Sequence, residues 1–114
     1  MDTLEFLQTI YAEADRGFSQ LFFLPSAAAA PIDVSNISVP DMPAVEDIYF
    51  SPGVSAAPKS AKLSADDVIG IPGLWVDIDI AHPVAHAKTN LPPSVADAMA
   101  ILPDDLAPSI IVHS

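Results

Sequence analysis

Two aspartates separated by one residue, Asp77 and Asp79, are the strongest candidates for chemistry in this sequence. They stand in the run Leu-Trp-Val-Asp-Ile-Asp-Ile at 74–80, whose alternation and content of Trp, Val and Ile predict a β-strand. Side chains two positions apart on a strand share a face, so the two carboxylates would lie roughly 7 Å apart at Cα. Oxygen ligands at this spacing suit Mg²⁺ or Mn²⁺, which also bind substrate phosphates.

The spacing of the pair alone leaves several interpretations open. Carboxylates on a rigid strand can hold two metal ions ~3.5–4 Å apart, an arrangement that activates a hydroxyl and stabilises a leaving pyrophosphate. Glycosyltransferases also use Asp-x-Asp, with a metal and a nucleotide-sugar, but the sequence shows no Rossmann-type nucleotide-binding half. The phosphatase pattern of the haloacid dehalogenase type is not met, because Ile80 and Ala81 follow the second aspartate. In a chain this acidic, the pair can also be an ordinary solvated face of a strand.

Other polar residues near the pair are weaker candidates. His82 and His86 flank Pro83 in a predicted loop, and their spacing suits a metal pair only on a helix, which the proline opposes. His113 is predicted to be a packed or edge histidine of a strand. Lys88 either contacts a phosphate or is a solvated loop lysine.

The helices and strands around these residues are predicted from hydrophobic periodicity, capping residues and prolines. Asp2 and Glu5 form a capping-box pattern that predicts a helix over 2–15. Its predicted core face consists of Leu4, Leu7, Ile10, Tyr11 and Ala14. The aromatic run 18–24, closed by Pro25, predicts a strand. A short strand is predicted near 32–34 and another over 46–50.

The second half of the chain is predicted to supply a strand, a helix and a strand. The strand over 74–80 precedes a proline-containing loop over 81–93. Ser94 is the predicted N-cap of a helix over 94–102, with Asp97 in its first turn, and 109–113 is predicted to be a buried strand. This order predicts an α+β, α/β-like fold: one domain over 1–114, loop-rich at 25–66, with a mixed sheet and flanking helices.

Composition sets further limits on function. Of the 114 residues, 51% are hydrophobic and the mean hydropathy is +0.40, enough apolar surface to fold. No cysteine is present, which excludes disulfides and thiolate metal sites. No signal peptide and no apolar run of ~20 residues is visible, so a soluble, cytoplasmic protein without membrane contact is expected. Fifteen acidic residues against four basic ones give a net charge of −11, which predicts weak nucleic-acid binding by this chain alone.

The region 73–114 resembles the phage and plasmid primase-polymerases of the archaeo-eukaryotic primase superfamily. The Trp-Val-Asp-Ile-Asp run at 75–79 is similar to their first motif, and Lys88, Asn90, Pro92 and Pro93 are similar to the loop that follows. Ser114 is similar to the first residue of their Ser-Gly-x-Gly-x-His motif. The helix, the Phe-Phe-Leu-Pro strand and the segment 47–55 resemble the family's lead-in in order and character.

This resemblance implies part of an RRM-like nucleotidyltransferase core. Asp77 and Asp79 would be catalytic carboxylates that bind Mg²⁺ or Mn²⁺, and Lys88 and Ser114 would contact the nucleotide. The histidine of the second motif and the acidic residue of the third motif are not in the chain, so it is expected to be a truncated fragment, inactive alone. A nucleoside triphosphate and a DNA template would be partners of the full-length protein. The alternative hypothesis is a small acidic, non-catalytic interaction module or the remnant of a broken gene.

Overall fold

The fold begins with a short amphipathic helix whose first turn is closed by its own side chains. A computed structural model describes residues 1–113 and divides the chain into two compact units, Met1–Leu74 and the residues from Trp75 onward. Helix α1 spans Thr3–Ile10. The Glu5 amide donates to Asp2 Oδ1 at 2.8 Å and the Asp2 amide donates to Glu5 Oε2 at 2.9 Å, which confirms the predicted capping box. The helix ends at Ile10 rather than at residue 15, because Ala14 is the only residue of 12–16 that packs against the core.

A five-stranded antiparallel sheet forms the rest of the first unit. Its strands are β1 (Phe18–Leu24), β2 (Ala29–Asp33), β3 (Asp47–Phe50), β4 (Val54–Ser55) and β5 (Val68–Gly70). The order is β2-β1-β4-β5, and β3 also pairs with β1. Every strand pair is antiparallel, so the α+β class is confirmed while the predicted mixed sheet is wrong.

Strand β1 is central because both of its faces are covered. Leu21 and Phe23 point to the α1 side and join Leu7 and Tyr11 in the buried core. Gln20 points to the opposite face, where its side chain binds the backbone of the loop at 61–63. Alternate side chains of β1 therefore contact the core on one face and the loop at 61–63 on the other.

The segments between the predicted strands are more ordered than their sequence indicates. Strand β2 includes Pro31, which an edge strand tolerates because one side of its backbone needs no ladder partner. The predicted strand at 46–50 is confirmed as β3. The predicted polar loop at 51–66 contains β4 and the start of a 3₁₀ turn, Ala65–Asp67, that leads into β5. Strands of two or three residues are too short to show alternation.

The second unit has one helix and otherwise irregular chain over its described residues. Helix α2 spans Val95–Met99, and the Ser94 hydroxyl accepts from the Asp97 amide, as its predicted N-cap role requires. The predicted strands at 74–80 and 109–113 are both wrong, since the structure assigns neither segment to a strand. An alternating pattern predicts which way side chains point, but it provides no hydrogen-bonding partner for the backbone. The apolar face that was predicted to be buried is largely exposed, with Leu74 91% and Val76 63% exposed. Within residues 1–113, no helix has both the length and the apolar character needed to cross a membrane.

Candidate functional site

The candidate acids lie in an extended segment, 75–80, that leads into a closed loop. The Ala81 amide donates to the Pro92 carbonyl at 2.9 Å, which joins the two ends of the loop that carries the histidines and Lys88. The segment is therefore anchored at its C-terminal end by a backbone bond, and Ile78 and Ile80 are half-buried. The aspartates are held by this anchor and by their apolar neighbours rather than by a sheet.

A tight turn brings His82 and His86 together. The His82 amide donates to the His86 carbonyl at 2.9 Å, and the His86 amide donates back at 3.2 Å, forming an isolated antiparallel bridge. Pro83 stands at the first turn position after His82, where its fixed φ is favourable. Residues paired in this way project to one side of the backbone. The sequence prediction allowed a histidine pair only on a helix, and a bridge provides the same proximity by another route.

The imidazole of His82 is fixed by the same turn. Its Nδ1 atom accepts from the Val84 amide at 3.2 Å and from the Ala85 amide at 3.0 Å. An imidazole nitrogen that accepts carries no proton, so the neutral ring has its proton on Nε2. The turn therefore orients the His82 ring and selects its tautomer.

Asp79 is the candidate acid that has an imidazole beside it. Its Oδ1 lies 3.7 Å from His86 Nδ1, and the side chains are 48% and 47% exposed, respectively. At that separation and exposure, an ion pair contributes at most about 1 kcal/mol. The pair is weak enough for the Asp79 carboxylate to exchange one partner for another.

Both aspartates line a cavity of about 460 Å³ within the second unit. One wall comes from α2 and the turn after it, where Ala98 is buried. The polar residues that line the cavity are Asp77, Asp79, His82, His86 and His113, so all three histidines of the chain contribute to it. No lysine or arginine among the described residues is part of its lining.

The donor set of the cavity fits a divalent cation in part. Two carboxylates provide hard oxygen ligands, and imidazole nitrogens are acceptable to Mn²⁺ and later transition metals. Within residues 1–113, however, no three histidine or acidic side chains stand close enough together to hold a metal ion as they are placed. A cation in this cavity would therefore need water or a substrate to complete its coordination.

The other predicted site residues do not join this cavity. Lys88 is exposed in the loop and is not part of the cavity lining. Ser114 lies outside the described residues. The grouping of the histidines with the aspartates was not predicted from the sequence. The signal that indicates it is Pro83, a turn-forming residue between His82 and His86.

Comparison with protein-family models, with curated proteins and with solved structures finds no match to this chain.

Proposed function

We propose that residues 75–113 carry the metal-binding end of a metal-dependent nucleotidyltransferase site. The observation that carries this proposal is that Asp77 and Asp79 line one cavity, with α2 forming its wall. Two carboxylates this close in sequence repel one another, and a divalent cation relieves that repulsion. Bound there, Mg²⁺ or Mn²⁺ would neutralise phosphate charge during transfer of a nucleotidyl group.

Within that class, we propose template-directed nucleotidyl transfer of the primase-polymerase type. The support is the resemblance of the Trp-Val-Asp-Ile-Asp run, of Lys88 and of the Asn-Leu-Pro-Pro loop to that family. In this proposal Asp77 and Asp79 are the metal ligands, and Lys88 and Ser114 approach the nucleotide. The remaining motifs of the family would be supplied by a longer polypeptide, so the 114-residue chain alone is expected to be inactive.

The charge of the cavity makes the proposed site depend on its cation. Its lining holds two carboxylates and no lysine or arginine among the described residues. A triphosphate approaching this surface meets negative charge, and the whole chain adds a net charge of −11. Nucleotide binding by this chain is therefore expected to be undetectable without a divalent cation.

Titration with Mn²⁺ followed by NMR tests the metal proposal directly. We expect paramagnetic broadening of the amides of 76–80 and 82–86, with a dissociation constant of about 1 mM, equivalent to ~4 kcal/mol. Asp77→Asn combined with Asp79→Asn should abolish this selective broadening, because the amide group keeps the size of the side chain and removes its charge.

A second acidic pair in the same unit provides a matched control. Asp104 and Asp105 are exposed neighbours in the turn that follows α2, and neither lines the cavity. Asp104→Asn with Asp105→Asn changes the net charge by the same amount and should leave the broadening near Asp77 intact. Equal loss of broadening in both double variants would show a non-specific ion atmosphere and contradict the metal site.

An activity test requires a longer protein that continues this sequence through a Gly-x-Gly-x-His motif. We expect such a protein to synthesise or extend a primer with Mg²⁺ or Mn²⁺. Asp77→Asn with Asp79→Asn should reduce that rate by at least ~10²-fold. Unchanged primer synthesis in the double variant would contradict the assigned role of the pair.

The high acidity of the chain favours a second candidate function, a small non-catalytic interaction module. Fifteen acidic residues against four basic ones disfavour contact with phosphates and favour a basic protein partner. In this case Asp77→Asn with Asp79→Asn would leave partner binding unchanged. The same double variant therefore separates the two candidate functions.

A further inference from the structure

Strand β3 forms an edge of the sheet, distant in sequence from the candidate metal ligands. Among the described residues it pairs with β1 and with no other strand. The Ser51 amide donates to the Gln20 carbonyl at 3.1 Å. The backbone amides and carbonyls of the odd-numbered residues in this stretch therefore point toward β1. Because backbone groups alternate along a strand, the amide and carbonyl of Ile48 point away from β1. Ile48 therefore presents its backbone amide and carbonyl at the outer edge of β3.

Apolar side chains lie beside this edge. Val45 is 93% exposed, Ile48 is 43% exposed and Tyr49 is 50% exposed. We call the residues 45–49 the β3 edge surface. An exposed strand edge flanked by apolar side chains is a template for pairing with another extended chain, and it needs protection or a partner.

The charges closest in sequence to the β3 edge surface have a single sign. Between residues 36 and 58 the acidic residues are Asp41, Glu46 and Asp47, and no lysine or arginine occurs. The next basic residue in the chain, Lys59, is already paired with Asp67 at 2.8 Å. Glu46 accepts from the Ser26 amide at 2.6 Å, which holds its carboxylate near the start of the strand. Lys62 Nζ lies 5.4 Å from the ring centroid of Phe22, the residue that pairs with Tyr49, so one lysine approaches this edge. The edge therefore combines backbone donors and acceptors, apolar side chains and an excess of negative charge.

We propose that the β3 edge surface binds an extended basic segment of a partner protein by strand addition. Main-chain bonds to Ile48 would align the segment, and alternate side chains would contact the two faces of the edge. Because Asp47 and Tyr49 share one face of β3, lysine or arginine side chains on that face of the partner would lie beside Asp47, and apolar residues on its other face would cover Ile48. A second copy of this chain is a poor occupant, since each copy carries a net charge of −11. Binding here does not require Asp77 or Asp79.

The test uses the full chain and a blocked heptapeptide of alternating lysine and valine. We expect NMR shifts confined to the amides of 45–51 and to their β1 partners, and we expect the affinity to fall as salt is raised. A peptide with glutamate in place of each lysine should produce no shifts. Shifts spread over the whole chain, or shifts equal for both peptides, would overturn the proposal.

Two substitutions at one position separate strand addition from simple apolar contact. Ile48→Pro removes the outward amide and leaves the bonds between Tyr49 and β1, whereas Ile48→Ala removes only apolar surface. We expect Ile48→Pro to weaken peptide binding about tenfold beyond the loss that Ile48→Ala causes. Equal affinities of the two variants would overturn strand addition.

Charge variants complete the test even if the proline variant fails to fold. Asp41→Asn with Asp47→Asn should lower the affinity for the lysine peptide several-fold at low salt, while Asp104→Asn with Asp105→Asn should lower it much less. Equal losses would show attraction to overall charge alone and contradict a site at β3. Concentration-dependent shifts of 45–51 without peptide would identify a second copy as the occupant and contradict the basic partner. Asp77→Asn with Asp79→Asn should lower peptide binding no more than Asp104→Asn with Asp105→Asn does, so failure of the peptide test leaves the metal proposal untouched.

Discussion

Replacing Tyr11 by phenylalanine should destabilise the first unit by about 1–2 kcal/mol. The Tyr11 hydroxyl donates to the Ser51 carbonyl at 2.5 Å and accepts from the Ser19 hydroxyl at 2.7 Å. Tyr11 is 1% exposed and Ser19 is 2% exposed, so water cannot replace these bonds without opening the core. The Ser19 hydroxyl oxygen also lies 3.1 Å from the Ser51 carbonyl oxygen, so in the variant its single proton can turn to that carbonyl and limit the loss.

The assay is urea unfolding followed by circular dichroism, with amide exchange of β1 as a local measure. Tyr49→Phe is the matched control, because Tyr49 is half exposed on β3 and its loss should change the free energy of unfolding by at most ~0.5 kcal/mol. A double-mutant cycle with Ser19→Ala should show a coupling of at least ~0.5 kcal/mol between the two hydroxyls. If Tyr11→Phe costs no more than Tyr49→Phe, the hydroxyl network does not stabilise the fold as we describe.

The same network makes a prediction for alkaline pH. Burial raises the pKa of Tyr11 above its model-compound value of 10.0, and the bond from Ser19 lowers it by a smaller amount. The unfolded chain therefore loses the phenolic proton first as the pH rises, so the contribution of Tyr11 to stability is complete below pH 10 and declines as the pH rises through the folded pKa. This decline should be smaller in Tyr11→Phe than in the parent chain.

Three further predictions concern local contacts. Lys59 donates to Asp67, and this bond, together with those from Ser64, lowers the pKa of the Asp67 carboxyl to about 2. The substitution Lys59→Met should move that pKa back toward its usual value of 3.8, as measured by NMR titration. Stability linked to Asp67 is accordingly present above pH 3.8 and lost as the pH falls toward 2. Gly17→Ala should destabilise the sheet by about 1–3 kcal/mol in urea unfolding, since Gly17 has a φ of +108° and an added Cβ would lie 2.9 Å from the Ser55 carbonyl oxygen. Ser94→Ala should cost α2 about 1 kcal/mol, detected as faster amide exchange in Val95–Met99; unchanged exchange would contradict the cap.

The sequence predicts the elements whose cause is local. The capping box of α1 needs only Asp2 and Glu5, three residues apart, and the structure has both bonds. Strand β1 is a seven-residue stretch rich in aromatic and apolar residues that ends before Pro25, and it forms as predicted. Ser94 caps α2 for the same local reason. In each case the residues that decide the structure stand within a few positions of one another.

The elements that depend on distant partners could not be predicted. The run at 74–80 has the composition of a strand, but a strand forms only where another backbone accepts its hydrogen bonds. Strands β4 and β5 contain few residues and exist because β4 meets β1 at Phe18 and β5 meets β4. A sequence pattern of two or three residues is too short to predict such pairing.

The candidate site was likewise predictable only in its local part. Asp77 and Asp79 were identified from residue type and spacing, and both line one cavity. His82 and His86 are joined because the chain turns around Pro83. The spacing of the two histidines was interpreted only in terms of a helix, so it did not predict this turn. Chemistry can thus be assigned to single residues from sequence, whereas their grouping depends on the path of the chain.

The acidity of the chain links the two proposals and also gives the means to separate them. A net charge of −11 concentrates cations of every kind near the surface, so metal ions and basic peptides will both accumulate without any specific site. That general attraction is screened by salt and depends only on the number of charges, whereas a cavity or a strand edge depends on which charges are removed. Removing two charges at Asp77 and Asp79, or at Asp104 and Asp105, changes the general attraction equally. Only the first pair lines the cavity, so these two variants should differ in Mn²⁺ binding. Two distinct sites are required only if, in addition, Asp41→Asn with Asp47→Asn lowers peptide binding more than Asp104→Asn with Asp105→Asn does.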